Sequence, residues 1–146
     1  MSKKKIYKNG RNKDFKGTFT MLRHDITKSE AWLALRATEK AILIQIWLRL
    51  NIDESNNGKI LASHRELAKE CHISRPTVSK TIERLEQIGF IEVISKGTFN
   101  CKQRLASEFR LTFFKCHATG KLPTNDWRLY DPKKVFDDDL NQYQDE

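Results

Sequence analysis

Cysteine is scarce in this sequence. There are three, Cys71, Cys101 and Cys116, odd in number and without a repeated spacing. This favours a reducing compartment over a disulfide framework. No Cys-x-x-Cys pair occurs, and Cys71-His72 and Cys116-His117 set the two ligand types side by side, where they seldom reach one ion. No metal site and no cofactor are expected. Long apolar runs are also missing. The richest, Ala41–Leu50, is half the length of a membrane helix and contains Gln45 and Arg49. The basic start, Lys3-Lys4-Lys5, is not followed by an apolar core and cleavage site, so no secretory signal is read there. Four scattered histidines and nineteen acids form no nucleophile–base set, and no glycine-rich phosphate loop accompanies them. Enzymatic chemistry is not indicated.

What is abundant is charge, at 32% of 146 residues with a net +8. It is segregated. Residues 1–23 hold eight Lys/Arg and one acid, whereas residues 131–146 hold two basic and six acidic side chains. A basic arm, a mildly basic body and an acidic tail suggest a polyanion as partner of the first two. The expected organisation is a flexible arm over 1–18, one domain over 19–115, and an irregular extension with an acidic tail over 116–146.

Within the body, Thr27 and Glu30 have the spacing of a capping box ahead of a short helix. Thr38 is the expected cap of a longer helix reaching about Asn51, with Ile42, Leu43, Ile46, Trp47 and Leu50 as its buried stripe. Asn57-Gly58 is a turn signal, followed by a strand stub at Lys59–Leu61. Ser63 and Glu66 form a second capping box, predicting a helix from His64 to Cys71. Ser74 offers another cap, Pro76 suits a first helical turn, and Val78, Ile82, Leu85 and Ile88 fall on one side up to a stop at Gly89. Only His72-Ile73 separates the two helices, which must therefore cross steeply. That is helix-turn-helix geometry.

The side left free presents Pro76, Ser79, Lys80, Glu83 and Gln87, flanked by Arg75 and Thr77. Hydroxyls and cations at the positive end of a helix suit phosphate oxygens and base edges. Arg75 is the candidate for a bidentate guanine contact, and Ser74, Thr77 and Ser79 for phosphates. Lys80 fits either role, and Arg84 is grouped with this set.

The stretch Leu67-Ala68-Lys69-Glu70-Cys71-His72-Ile73-Ser74-Arg75-Pro76-Thr77-Val78-Ser79-Lys80 resembles the helix-turn-helix of winged-helix bacterial regulators. The frame from Ala31-Trp32 through Asn56–Ile60 to Leu85–Ile91 is similar to small phage- and prophage-type winged-helix proteins. It also looks like the N-terminal DNA-binding domain of phage and plasmid replication organisers. The resemblance covers roughly residues 19–115. It implies an α+β winged helix, helices packed on a small antiparallel hairpin. One departure is His72, where the family often has glycine; a positive φ there would carry a cost.

Strands are read at Phe90–Ser95 and Ser107–Phe113, the latter alternating Phe109, Leu111 and Phe113 against Arg110 and Thr112. The resemblance implies that the loop between them is the wing. Lys96, Thr98, Asn100, Lys102 and Arg104 would then contact the duplex, the cations tracking phosphates or entering the minor groove. Lys3, Lys4, Lys5, Lys8 and Arg11 would add contacts from the arm. Past Phe114, Pro123, Trp127, Tyr130 and Pro132 read as anchors strapping an irregular segment to the domain.

The expected function is sequence-specific binding of double-stranded DNA by a transcriptional regulator of phage-like or mobile-element origin, working in the cytoplasm at the bacterial nucleoid. The alternatives are a replication initiator and a winged helix used for protein or RNA. A homodimer on two half-sites is compatible, although no long heptad stretch marks an interface. No membrane association and no small-molecule effector are indicated.

Overall fold

The computed structural model describes residues 19–100 and 103–134. Two single-turn helices open it, α1 (His24–Thr27) and α2 (Glu30–Leu33). The cap of α2 is Ser29, whose Oγ accepts the Trp32 N–H at 3.2 Å, rather than Thr27, which ends α1. Helix α3 runs over Ala37–Leu48 and starts earlier than the expected cap at Thr38. Glu39 accompanies the earlier start: its Oε2 accepts the Arg36 N–H at 2.8 Å, the backward bond of a capping box whose cap position is Arg36. The predicted stripe is buried through Ile42, Leu43, Ile46 and Trp47, while Leu50 lies beyond the helix end and is half-buried.

After the turn come β1 (Ile60–Ala62), α4 (His64–Cys71), α5 (Arg75–Ile88) and β2 (Ile91–Ser95), then two-residue strands β3 (Phe99–Asn100) and β4 (Gln103–Arg104), and β5 (Ser107–Leu111). The main sheet is antiparallel in the order β1-β5-β2, and β3-β4 form a separate short hairpin. Helices on one side of a three-stranded antiparallel sheet, with a hairpin extending from it, make an α+β winged helix.

A gap in the sheet explains why Asn57 is fully buried. The pairing of Ile60 with Phe109 would bring residue 58 opposite Leu111, but the chain turns there, with Gly58 at φ 92°. The Asn57 side chain takes over. Its Oδ1 accepts the Leu111 N–H at 2.8 Å and its Nδ2 donates to the Leu111 carbonyl at 3.0 Å, the pair of bonds a neighbouring strand would supply. The same Nδ2 lies 3.1 Å from the carbonyls of Phe114 and Lys115, tying down the exit of β5.

The alternation expected in β5 is present, yet both of its faces are buried. Phe109 and Leu111 enter the core, and so does Phe113 beyond the strand end; Arg110 and Thr112 on the other side are 3% and 1% exposed. A strap around a 3₁₀ turn (Asp126–Leu129) covers that side. Trp127 stacks on Phe90 with ring centroids 6.1 Å apart, and the Asn125 N–H donates to the Thr112 carbonyl at 3.0 Å. Beneath it Arg110 Nε donates at 2.6 Å to Glu92, its cross-strand partner, whose carboxylate balances the buried charge. Gly89 permits the approach. It sits at φ 97°, and a Cβ there would come within 2.7 Å of the Asp126 backbone.

Candidate nucleic-acid interface

The two central helices are terminated as their sequences dictate. The Glu66 N–H donates to Ser63 Oγ at 3.1 Å and the Ser63 N–H to Glu66 Oε2 at 3.0 Å, a reciprocal box at the start of α4. Those backbone and hydroxyl bonds to Ser63 hold the Glu66 carboxyl below its ordinary pKa. At the other end, His72 caps α4 in the left-handed region at φ 54°, the conformation glycine takes most cheaply. Ser74 then caps α5, its Oγ accepting the Thr77 N–H at 3.3 Å and sharing a 2.8 Å hydroxyl contact with Thr77 Oγ1. Leu67 and Ala68 of α4 and Val78, Ile82, Leu85 and Ile88 of α5 are buried against the same core.

The starts of these helices differ in one respect. The first turn of α4 contains Glu66, a carboxylate that already occupies its positive end, whereas the first turn of α5 contains no acid. Arg75 and Pro76 are exposed there. The positive end of α5 is therefore open to an external anion, with a cation beside it.

Arg75, Pro76, Lys80, Glu83 and Gln87 are exposed along the outward face of α5, while Ser79 and Thr77 are half-buried at its margins. Arg84 does not join them. Its Nε lies 3.1 Å from Glu39 Oε1, without the alignment of a hydrogen bond, and the Glu39 side chain is only 5% exposed. A buried carboxylate left alone would be costly, so Arg84 is held inward as its counter-charge. Arg84 thus stands half-buried at the margin of the outward face, with its charge committed to Glu39. Glu86 is committed differently, its Oε1 accepting the Val93 N–H at 3.1 Å and fixing the end of α5 to β2.

In the hairpin, Lys96 and Thr98 are exposed. The Thr98 carbonyl accepts the Leu105 N–H at 3.1 Å and the Gly97 N–H donates to Ser107 Oγ at 2.9 Å, so the base of the hairpin is hydrogen-bonded across. Lys102 and the side chains of Asn100 and Arg104 lie outside the described residues, as do Lys3, Lys4, Lys5, Lys8 and Arg11. Sequence reasoning passed over Arg65 and Lys69, two further exposed cations on α4; nothing in their spacing distinguishes them from an ordinary solvated face.

Residues 61–92 match the family model for winged helix-turn-helix DNA-binding. The match begins in β1, spans α4, the His72 turn and α5, and ends in β2. It falls on the segment whose geometry is described above, the two helices and the strands on either side of them. No curated protein and no solved structure matches the chain significantly.

Among the described residues no three His, Cys, Asp or Glu side chains gather as metal ligands. Burial, with Glu70 adding to it, pushes the half-buried Cys71 thiol up in pKa, away from the reactive thiolate. The buried Cys116 thiol donates to the Asn57 carbonyl at 3.3 Å. Among the described residues no helix is long and apolar enough to cross a membrane.

Proposed function

We propose that this protein is a sequence-specific binder of double-stranded DNA and acts as a transcriptional regulator of phage-like or mobile-element origin in the bacterial cytoplasm. The observation that carries the reading is the acid-free, outward-facing start of α5, with Arg75 exposed beside it, inside a segment matching the DNA-binding winged helix-turn-helix family.

In this reading α5 enters the major groove and Arg75 addresses a guanine through its O6 and N7. The exposed charges of α5 cancel, Arg75 and Lys80 standing against Glu83 and Glu86. The helix is thus suited to discrimination more than to bulk attraction. Attraction falls to the cations of the arm and the wing, which make phosphate contacts that carry no sequence information. No step of chemistry on the DNA is part of the proposal.

The test is selection from random duplexes, followed by binding across a salt series. Wild-type protein should enrich a defined site and lose affinity steeply with salt. Arg75→Ala should relax preference at one position, whereas Lys102→Ala should weaken all sites alike. Failure to enrich any site sinks the sequence-specific reading. The genomic position of the enriched site separates a promoter-acting regulator from an origin-binding initiator, and its symmetry reports whether two copies bind together.

A further inference from the structure

We propose that Glu83 is a specificity-determining residue of α5 that reads a cytosine in the major groove. The proposal rests on the DNA-binding reading above. A carboxylate on the face of a helix that meets DNA needs a reason, because it approaches a surface lined with phosphate charge. Two acids lie on α5, Glu83 and Glu86. Glu86 is accounted for by its bond to the Val93 backbone, and the next outward position, Gln87, carries an amide instead of a charge. Glu83 is left to explain.

Glu83 is exposed and makes no ion pair or hydrogen bond among the described residues. Lys80, one turn before it, does not pair with it within 4 Å. A lysine placed N-terminal to a glutamate is also the less favourable order for a helical pair, so an intrahelical role is poorly served. Donors that a carboxylate can use in the major groove are few. They are the exocyclic amino groups of cytosine and adenine, and on adenine the neighbouring N7 acceptor repels a carboxylate. Cytosine N4 is the base donor whose surroundings suit Glu83.

The position adds a geometric expectation. Eight residues separate Arg75 from Glu83, about 12 Å along the helix and so at most three to four base-pair rises. A guanine read by Arg75 and a cytosine read by Glu83 should lie within that span. Lys80 lies between them along the helix axis, on the outward face with Glu83 that Arg75 flanks, and is placed to hold the intervening backbone.

Random-duplex selection with wild type, Arg75→Ala, Glu83→Ala and Glu83→Gln tests this. Glu83→Ala should erase one cytosine preference, a loss of about 5- to 150-fold discrimination, and leave the remaining columns intact. Glu83→Gln should turn that column toward adenine, because an amide can donate to N7 and accept from N6. The Arg75→Ala change should strike a different column within four base pairs. If Glu83→Ala preserves every column, the proposal is overturned, and tighter binding to all sequences alike would identify the carboxylate as a mere source of repulsion. Failure of the wild type itself to enrich a site overturns the DNA-recognition reading first. Because Glu83 is exposed, unchanged thermal unfolding of both variants checks that only recognition has been altered.

Discussion

Replacing Asn57 by alanine should destabilise the protein far more than its place in a polar turn suggests. The side chain is fully buried and supplies two bonds to Leu111 as well as contacts to the Phe114 and Lys115 carbonyls. Alanine leaves the Leu111 N–H without its partner, and a buried donor so orphaned costs about 1–3 kcal/mol. The carbonyls that Nδ2 served and the space left by the amide raise the expected loss to about 4 kcal/mol. Set against a typical stability of about 5–15 kcal/mol, that is a large fraction. With an m-value of about 2 kcal/mol/M in urea, the midpoint should fall by about 2 M at unchanged slope. Circular dichroism against urea at 25 °C reads this directly. Asn57→Asp is the companion, since it keeps the acceptor for Leu111 but turns a charge toward three carbonyls; it should be at least as damaging at neutral pH. A fall of less than about 0.5 M for Asn57→Ala would refute the idea that one side chain stands in for a strand.

Three further outcomes follow from other positions. His72→Gly should stabilise the protein by about 0.5–1 kcal/mol, because relief of the left-handed strain exceeds the entropy glycine adds to the unfolded chain; a urea midpoint that falls would contradict this. The Glu66 carboxyl is depressed in the folded state, so its contribution is fully present above its unfolded pKa of about 4.3 and fades as pH drops through the lower folded value. The stability gap between wild type and Glu66→Ala should accordingly be constant above about pH 5.5 and shrink below pH 4, and a gap that widens on acidification would reverse the sign. Deleting residues 1–18 should reduce the dependence of log affinity on log salt by about 0.9 for each phosphate the arm had neutralised, measured by fluorescence anisotropy on one duplex. An unchanged slope would remove the arm from the interface.

Much of the helix-turn-helix was legible because its signals are local. Ser63 with Glu66, Ser74 with Pro76, and Gly89 each act on backbone within a turn of themselves, and all lie at the ends the residues imply. His72 was legible for the same reason, as a residue in a position that glycine fills at lower cost. What could not be read depends on partners distant in the chain. Arg84 falls at the margin of the outward face by helical angle, and only Glu39, brought there by α3, turns it inward. Asn57 carries a turn signature, and nothing local tells that Leu111 needs its amide. Thr38 has the chemistry of a cap, but the helix begins sooner, where Glu39 reaches back to Arg36. The burial of Arg110 and Thr112 likewise waits on a strap thirteen or more residues further along.

That strap has a mechanical meaning. Gly89 lies against the Asp126 backbone, Trp127 lies on Phe90, and Glu86 is bonded to Val93, so the end of α5 and the root of the hairpin are clamped at one junction. A helix and a hairpin joined by such a rigid elbow keep a fixed gauge between them. Where both engage one duplex, the adjustment must come from the DNA, in the width of its groove and the ease with which it bends. The stiffness of a binding site, as much as its letters, would then decide how well it is held.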